Sequence, residues 1–186
     1  MGAMKSLRGK LLLSAPNLFD PNFRRTVVLI AEHTEDGALG LVLNRPAETT
    51  VAEAVPDLNW LAGSDDEPVY AGGPVGADSV IVLAEFDDPA LAAAIVMDDL
   101  GFVPAQADDP DAIAVATRRT RIFAGHAGWG PGQLDGEMDE GSWIVEPALV
   151  DDVFTNDPEG LWSAVMRRRG GEWRLLATMP QDPSLN

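Results

Sequence analysis

Short runs of aliphatic and β-branched residues recur along the chain, and they limit its fold more than any other feature. The first two, 11–14 and 26–31, are separated by a segment of Pro, Asn and Asp residues. A third, 40–43, follows Asp36-Gly37, a pair typical of β-hairpin turns. Because each run is short and is bounded by turn residues, it indicates a buried strand. The chain therefore begins as an antiparallel sheet.

The rest of the chain adds strands and short helices to this beginning. Strands are predicted at 69–71, 79–86, 112–116, 121–124 and 142–145, and helices from Thr49 or Thr50 to 55, from 87 to 97, from 147 to 154 and from 158 to 168. Strands outnumber helices and do not alternate with them regularly, which argues against a doubly wound sheet. We predict an α+β fold in which a curved, mixed or antiparallel sheet carries peripheral helices.

The chain length and the absence of any linker between predicted elements indicate one domain, at 4–186. A chain of 186 residues can bury a continuous core, and no repeat, low-complexity tract or linker divides it. Met1, Gly2 and Ala3 precede a second methionine and resemble a cloning scar.

Acidic residues outnumber basic residues, and the resulting negative charge disfavours the binding of two classes of partner. There are 30 Asp and Glu against 13 Lys and Arg, a formal net charge of -17, and no Lys, Arg or His lies between 46 and 117. Nucleic acids and anionic membranes are bound mainly through Lys and Arg, so neither is expected as a partner. Arginines cluster at 24–25, 118–121 and 167–169. These clusters can converge into one patch, but pairing with nearby carboxylates is the interpretation that we favour.

Cysteine is absent, which excludes disulfides, thiolate metal sites and thiol nucleophiles. No apolar run is long enough to cross a bilayer, and no signal core follows the first residues. We expect a cytoplasmic protein that does not enter a membrane.

The segment 125–140 is the strongest candidate for a binding site. Its glycines permit unusual backbone angles and the close approach of a ligand. The candidate ligand-binding residues in this segment are His126, Trp129, Gln133, Asp135 and Glu137. Trp129 offers a flat contact surface, the three residues of 133–137 offer hydrogen bonds or acid and base groups, and His126 titrates near neutrality. The alternative, which we favour, is a tight corner of the sheet with Trp129 in the core and the carboxylates in solvent.

A second polar constellation lies in the loop 17–25. Arg24 or Arg25 can clamp a carboxylate or phosphate through two parallel hydrogen bonds. The alternative is that Asp20 caps a turn and pairs with one of the arginines, which would fix the loop against the sheet.

The sequence patterns typical of nucleophilic catalysis, phosphate binding and metal binding are absent or incomplete. The chain has no Gly-x-Ser-x-Gly nucleophile motif and no phosphate-binding glycine loop followed by Lys. Acidic residues at 135, 137, 139 and 146 have the spacing of a calcium loop, but Glu140 stands where that loop requires glycine. Only two histidines are present. We assign no catalytic residue and expect neither a metal ion nor a cofactor.

Several stretches, in a fixed order along the chain, together resemble the AlgH/YqgE family of bacterial proteins. They are 9–16, 20–28, 40–46, 72–75 and 128–137, with Trp143, Leu161 and Trp162 downstream. One position departs from the family pattern, because His126 stands where an aromatic residue, usually Tyr, is expected. The resemblance implies a compact α+β fold whose bifurcated sheet curls into a pseudo-barrel, and it implies no catalytic residues.

Two functional hypotheses follow from these residues. The first is a non-enzymatic binding or regulatory module that presents the Trp129 loop, with or without the Arg24/Arg25 loop, to a protein or small-molecule partner. The alternative is a hydrolase-like enzyme that uses Asp135 and Glu137 with His126 as the proton carrier. A concave pocket that holds these groups together favours the enzyme, whereas a convex surface favours the binding module.

Overall fold

A computed structural model describes residues 5–16 and 23–180. The strands within these ranges are β1 Lys10–Ser14, β2 Val27–Thr34, β3 Gly37–Val42, β4 Pro46–Thr50, β5 Pro68–Ala71, β6 Val75–Phe86, β7 Ala94–Met97, β8 Leu100–Phe102, β9 Thr117–Trp129 and β10 Trp143–Pro147. The α-helices are α1 Val51–Ala54, α2 Pro110–Ala116, α3 Gln133–Asp139, α4 Val150–Val153, α5 Leu161–Arg169 and α6 Trp173–Ala177. Two 3-10 helices, Pro56–Leu61 and Pro89–Leu91, complete the regular structure of these ranges.

The strands form one large sheet that forks at β9. Its main path runs β10-β1-β2-β3-β9-β6-β8-β7, and each neighbouring pair on this path is antiparallel. One edge of β9 is shared, because 127–129 pair with β3 while 123–124 pair in parallel with β5. Strand β4 extends this branch by pairing with β5. The predicted α+β class with a mixed, mainly antiparallel sheet is confirmed.

Two glycines make the fork possible. The Gly72 N–H donates to the Ala124 carbonyl at 2.9 Å, and the Gly72 carbonyl accepts from the Val42 N–H at 2.8 Å. A Cβ atom at Gly72 would lie 2.3 Å from the Gly125 oxygen, and one at Gly73 would lie 2.2 Å from the His126 carbonyl carbon. Since no side chain fits at either position, glycine is required where the two branches meet.

The sheet curls without closing. Gly9, just before β1, lies against β7 at the far end of the path, with its ideal Cβ position 3.3 Å from the Met97 Cβ. Among the described residues no ladder joins β7 to β1 or β10, so the sheet is not closed into a barrel. Arginines of α5 cover the other edge, because Arg168 donates to the Pro147 carbonyl and Arg169 to the Val145 carbonyl. Such cover protects an edge strand from pairing with another chain.

The first strands are buried on both faces, which explains their continuous apolar sequence. On one face Leu11, Leu13 and Leu29 pack in the largest core cluster, with Trp162 of α5. On the other face Leu12 and its neighbours belong to a second cluster, with Trp129 and Trp143. Hydrophobic burial on both faces therefore fixes β1 and β2 at the centre of the molecule.

Two predicted elements are wrong. The segment 87–97 is not one helix, since a 3-10 turn at Pro89–Leu91 is followed by β7, whose pairing with β8 overrides the helix propensity of its alanines. The segment 112–116 is helical rather than extended. Asp109 caps this helix by accepting from the Ala112 N–H at 3.1 Å, and Pro110 occupies its first turn. This Asp-Pro start signal outweighs the short run of apolar residues.

The other predicted helices are confirmed with shorter bounds. Thr50 caps α1 in a capping box with Glu53, while α4 and α5 fall within or beside the predicted 147–154 and 158–168. None of the helices in the described ranges is long and apolar enough to cross a membrane.

Candidate functional site

The Trp129 corner, formed by Trp129, Gln133, Glu137 and Trp143, is a hydrogen-bond network internal to the protein. The indole Nε1 atoms of Trp129 and Trp143 both donate to Oε2 of Glu137, at 3.0 and 2.8 Å. Gln133 Nε2 donates to the other carboxylate oxygen of Glu137 at 3.1 Å, while Gln133 Oε1 accepts from the Gly130 N–H at 3.0 Å. Both oxygens of Glu137 thus have partners within the fold.

Packing reinforces this network. Trp129 is only 8% exposed and contacts Trp143 edge to face, with 6.3 Å between ring centroids. Phe23 packs on the same Trp143 ring at 6.1 Å. Asp135 lies on the exposed side of α3. The aromatic rings and the Glu137 oxygens already contact other groups of the protein. This geometry therefore favours the interpretation of the segment as a tight corner of the sheet.

His126 lies on the opposite face of β9 from Trp129. Its ring is near Gly76 and Gly128, whereas the Trp129 ring lies against the Gly40 side of the sheet. Successive side chains of a strand point to opposite faces, so positions 126 and 129 diverge. The His126 Nδ1 atom is buried and has no hydrogen-bond partner in the described part of the chain. The structure does not bring His126 together with Asp135 or Glu137.

Arg24 and Arg25 also have different surroundings. Arg24 is exposed, and its carbonyl accepts from the Arg45 guanidinium. Arg25 has a left-handed backbone, with φ of 49°, and its guanidinium lies 5.0 Å from the centre of the Trp162 ring and donates to the Met179 carbonyl. Burial, followed by the charge of Arg24, lowers the pKa of Arg25 from its ordinary value. Arg25 therefore contacts the C-terminal segment, while Asp20 lies outside the described residues.

A cavity lies elsewhere, over the first half of β9, and we call it the Arg121 cleft. Its volume is about 720 Å³. Its walls come from the 3-10 helix Pro56–Leu61, the loop 62–67, strands β5 and β9, and the segment 154–158. The lining side chains include Trp60, Leu61, Asp66, Glu67, Tyr70, Thr117, Arg118, Arg119, Thr120, Arg121, Phe154 and Asn156.

Arg121 is the unusual residue of this cleft. It is only 8% exposed, and its Cζ atom lies 4.3 Å from the centre of the Tyr70 ring. One terminal nitrogen donates to the Thr155 carbonyl at 3.3 Å, whereas the Nε atom is buried without a hydrogen-bond partner in 5–16 and 23–180. No carboxylate in these ranges lies within ion-pair distance of Arg121.

The two arginines that precede it on β9 are paired. Arg118 contacts Glu85, Asp87 and Asp99, and Arg119 contacts Glu85 and Asp151. The Arg119 hydrogen bond is the main reason that the pKa of Glu85 is below its ordinary value. Arg121 thus differs from its neighbours in having no acidic partner among the described residues.

The other polar groups of the cleft are mostly bound within the fold. Burial raises the pKa of the Tyr70 hydroxyl, and the adjacent Arg121 charge opposes that rise. Glu67 accepts from the Gly63 N–H at 2.5 Å, and the Thr120 hydroxyl donates to the Leu61 carbonyl. Within the described ranges, no three His, Cys, Asp or Glu side chains are grouped so that they could hold a metal ion. The arrangement is suited to binding an anion rather than to transferring a proton.

Sequence reasoning missed this cleft, although it singled out the cluster that contains Arg121. The sequence signal is Arg121 itself, a charged residue at the start of the predicted strand 121–124. The other residues of this strand are apolar and are expected to be buried. Alternation along a strand places 119 and 121 on one face. This alternation cannot show that Arg119 has an acidic partner on another element, whereas Arg121 has none among the described residues.

Comparison with known proteins establishes the family. The AlgH-like family model, DUF179, matches residues 11–174. This chain belongs to the AlgH-like family. The resemblance predicted from the ordered motifs is confirmed.

Similar proteins cover nearly the whole chain. A UPF0301 protein of Thermobifida fusca is 46% identical over 97% of this chain and 96% of its own, and one of Streptomyces coelicolor is 44% identical over 100% and 98%. Among solved structures, protein DIP2367 of Corynebacterium diphtheriae has a TM-score of 0.84 at 32% identity and covers 96% of this chain and 95% of its own. The AlgH protein of Pseudomonas aeruginosa has a TM-score of 0.73 at 31% identity, with 97% of each chain covered. These comparisons give a family and a fold.

Proposed function

We propose that this AlgH-like protein is a non-enzymatic binding module whose ligand site is the Arg121 cleft and whose ligand carries a negative charge. The observation that carries the proposal is the nearly buried guanidinium of Arg121, which lines the cleft without an acidic partner among the described residues. A buried charge is costly unless it is paired and hydrogen-bonded. An anionic ligand would supply the missing partner.

The cleft has the size of a small-molecule site, and its lining combines apolar with polar side chains. Its volume of about 720 Å³ falls in the range of ligand pockets, roughly 300–1,000 Å³. Apolar walls with a few polar groups are typical of such sites, since the walls supply affinity and the polar groups fix orientation. Trp60 and Phe154 provide apolar surface here, and Arg121 provides the polar anchor.

Binding is favoured over catalysis by what the cleft lining contains. Neither of the two histidines is among the lining residues, and Glu67, one of its two acidic residues, is bonded to the Gly63 backbone. The hydrolase alternative requires His126 beside Asp135 or Glu137, an arrangement that the geometry of β9 and α3 does not support. The Trp129 loop loses its place as the leading ligand site for the same reason, because its polar groups bind one another.

A thermal-shift screen with a matched variant tests the proposal. Carboxylates, sugar phosphates and nucleotides, each with a neutral analogue, are screened against the unmodified protein, Arg121→Met and Arg167→Met. Arg167 is an exposed arginine of α5 outside the cleft, so its replacement changes the net charge equally. A ligand that binds only the folded state raises its melting temperature. We expect anionic compounds to stabilise the unmodified protein and Arg167→Met, and to leave Arg121→Met unchanged.

Two results would contradict the proposal. One is the absence of any shift across the anionic compounds in the unmodified protein. The other is an equal shift in Arg121→Met, which would place the binding site away from the cleft.

A further inference from the structure

We infer that the ligand of the Arg121 cleft is a small monocarboxylate with an apolar body. The inference rests on the proposed function and narrows it from anions in general to one chemical class. Three properties of the cleft lead to it: the pairing of its arginines, the orientation of the Arg121 guanidinium, and the apolar surface beside it.

Of the three arginines that line the cleft, Arg121 is the one without an acidic partner among the described residues. Arg118 and Arg119 line the cleft but are paired with Glu85, Asp87, Asp99 and Asp151. Asp66 and Glu67 line the same cleft and add negative charge near the site. A dianionic phosphate or a nucleotide would be repelled by these carboxylates, and Arg121 could neutralise only part of its charge. A monoanion is repelled less by these carboxylates, and Arg121 can balance its whole charge.

The orientation of the guanidinium favours a planar anion. One face of Arg121 is covered by the Tyr70 ring, with its Cζ atom 4.3 Å from the ring centre, and one terminal nitrogen donates to the Thr155 carbonyl. A new acceptor must therefore approach in the guanidinium plane at the terminal nitrogens, since the Nε–H, which has no acceptor among the described residues, is buried. Arginine binds carboxylates in this plane through two parallel N–H donors.

The apolar surface of the cleft favours a ligand that has an apolar group as well as a charged group. Trp60 is 42% exposed although it lines a concave surface, and Leu61, Phe154 and Pro158 line the same cleft. Covering such apolar area contributes about 25 cal/mol per Å². An inorganic anion covers none of it, whereas an aromatic or aliphatic carboxylate pairs with Arg121 and covers the apolar wall at once.

Isothermal titration calorimetry with matched probes tests the inference. The probes are phenylacetate, indole-3-acetate and hexanoate, their neutral amides, phenyl phosphate and inorganic phosphate. We expect at least one carboxylate to bind the unmodified protein at least about tenfold more tightly than its own amide and than phenyl phosphate. Arg121→Lys keeps the charge but loses the planar fork, so it should weaken carboxylate binding at least about tenfold, whereas Arg167→Lys should not.

Replacement of Trp60 separates the apolar contribution from the charge. Trp60→Ala should weaken binding of the carboxylate probe and its amide by similar factors, because both lose the same apolar contact. A variant that leaves carboxylate binding unchanged would overturn the assignment of the apolar wall.

The outcomes distinguish the inference from the proposed function. Phenyl phosphate that binds more tightly than every carboxylate and requires Arg121 would overturn the carboxylate class and leave an anion site in place. Amides that bind as tightly as the acids would also overturn the inference, since the charge would then contribute nothing. Failure of every anionic probe, together with a thermal-shift screen that shows no stabilisation, would overturn both.

Discussion

The Trp129 corner and the Arg121 cleft each set a charged group against aromatic rings, and they differ in whether that group has partners. At the corner, Glu137 accepts from two indoles and from Gln133. In the cleft, Arg121 lies against Tyr70 with one backbone acceptor and an Nε–H that has no partner among the described residues. The corner is a completed network, whereas Arg121 has no acidic partner among the described residues.

This difference separates structural polar groups from binding groups. A buried polar network with all members satisfied rigidifies a fold, so removing one member leaves the others unsatisfied. A buried cation without a counter-ion adds little to stability, so its replacement by an apolar residue of similar length should be tolerated. Stability measurements should therefore separate the two regions.

The largest effect is expected from Trp129→Ala. Removal of this buried ring leaves a cavity against Trp143 and removes one donor to Glu137, which should lower the free energy of unfolding by about 3–5 kcal/mol. Urea denaturation measures the change. Trp60→Ala, which removes a partly exposed tryptophan, should cost less than about 1 kcal/mol. Equal losses for both variants would remove the distinction between corner and cleft.

A smaller loss is expected from Glu137→Ala. Two buried indole N–H groups lose their acceptor, which should cost about 1–3 kcal/mol in chemical unfolding. Glu137→Gln keeps one oxygen acceptor and should be less harmful. Asp135→Ala, on the exposed side of the same helix, serves as the control and should change stability little. If Glu137→Ala were as stable as the control, the corner would not be held by its carboxylate.

A pH-dependent effect is expected at Glu85, the partner of the arginines beside Arg121. Its side chain is 14% exposed, and the hydrogen bond from Arg119 lowers its pKa in the folded state. A carboxyl with a lowered folded pKa stabilises the protein above its unfolded pKa, and this stability is lost as the pH falls through the folded pKa. Glu85→Gln should therefore cost about 1 kcal/mol near neutral pH and progressively less in acid.

Urea titrations of both proteins between neutral and acidic pH measure this difference. A constant difference at every pH would show that Glu85 does not neutralise its arginine neighbours. Arg118 and Arg119 would then be paired only through Asp87, Asp99 and Asp151, and their contrast with Arg121, which has no acidic partner among the described residues, would be smaller.

The smallest change is expected from Arg121→Met. The lost contact with Tyr70 and the lost hydrogen bond to Thr155 are offset by removal of an unpaired buried charge, so stability should remain within about 1 kcal/mol of the unmodified protein. Thermal and urea unfolding measure it without ligand. A loss as large as that of Glu137→Ala would mean that Arg121 is a structural group, and the comparison would fail.

Sequence patterns predicted much of the fold because their information is local. The apolar runs at 11–14 and 26–31 became β1 and β2, and Asp36-Gly37 closed the hairpin to β3. The errors at 87–97 and 112–116 arose where strand pairing or a helix cap decided between elements of similar composition. Short segments carry too little periodicity to decide this alone.

The candidate site was predicted less well, since a site depends on contacts between distant residues. The glycine-rich segment held His126, Trp129 and Glu137 close in sequence, but strand alternation turned His126 to the opposite face. The sequence alone determined the strand-rich order, the acidic surface and the family motifs, because these depend on residue types and short spacings. Only the tertiary structure decided that Arg119 meets Asp151 while Arg121 has no acidic partner among the described residues, because ion pairing depends on which distant elements the fold brings together.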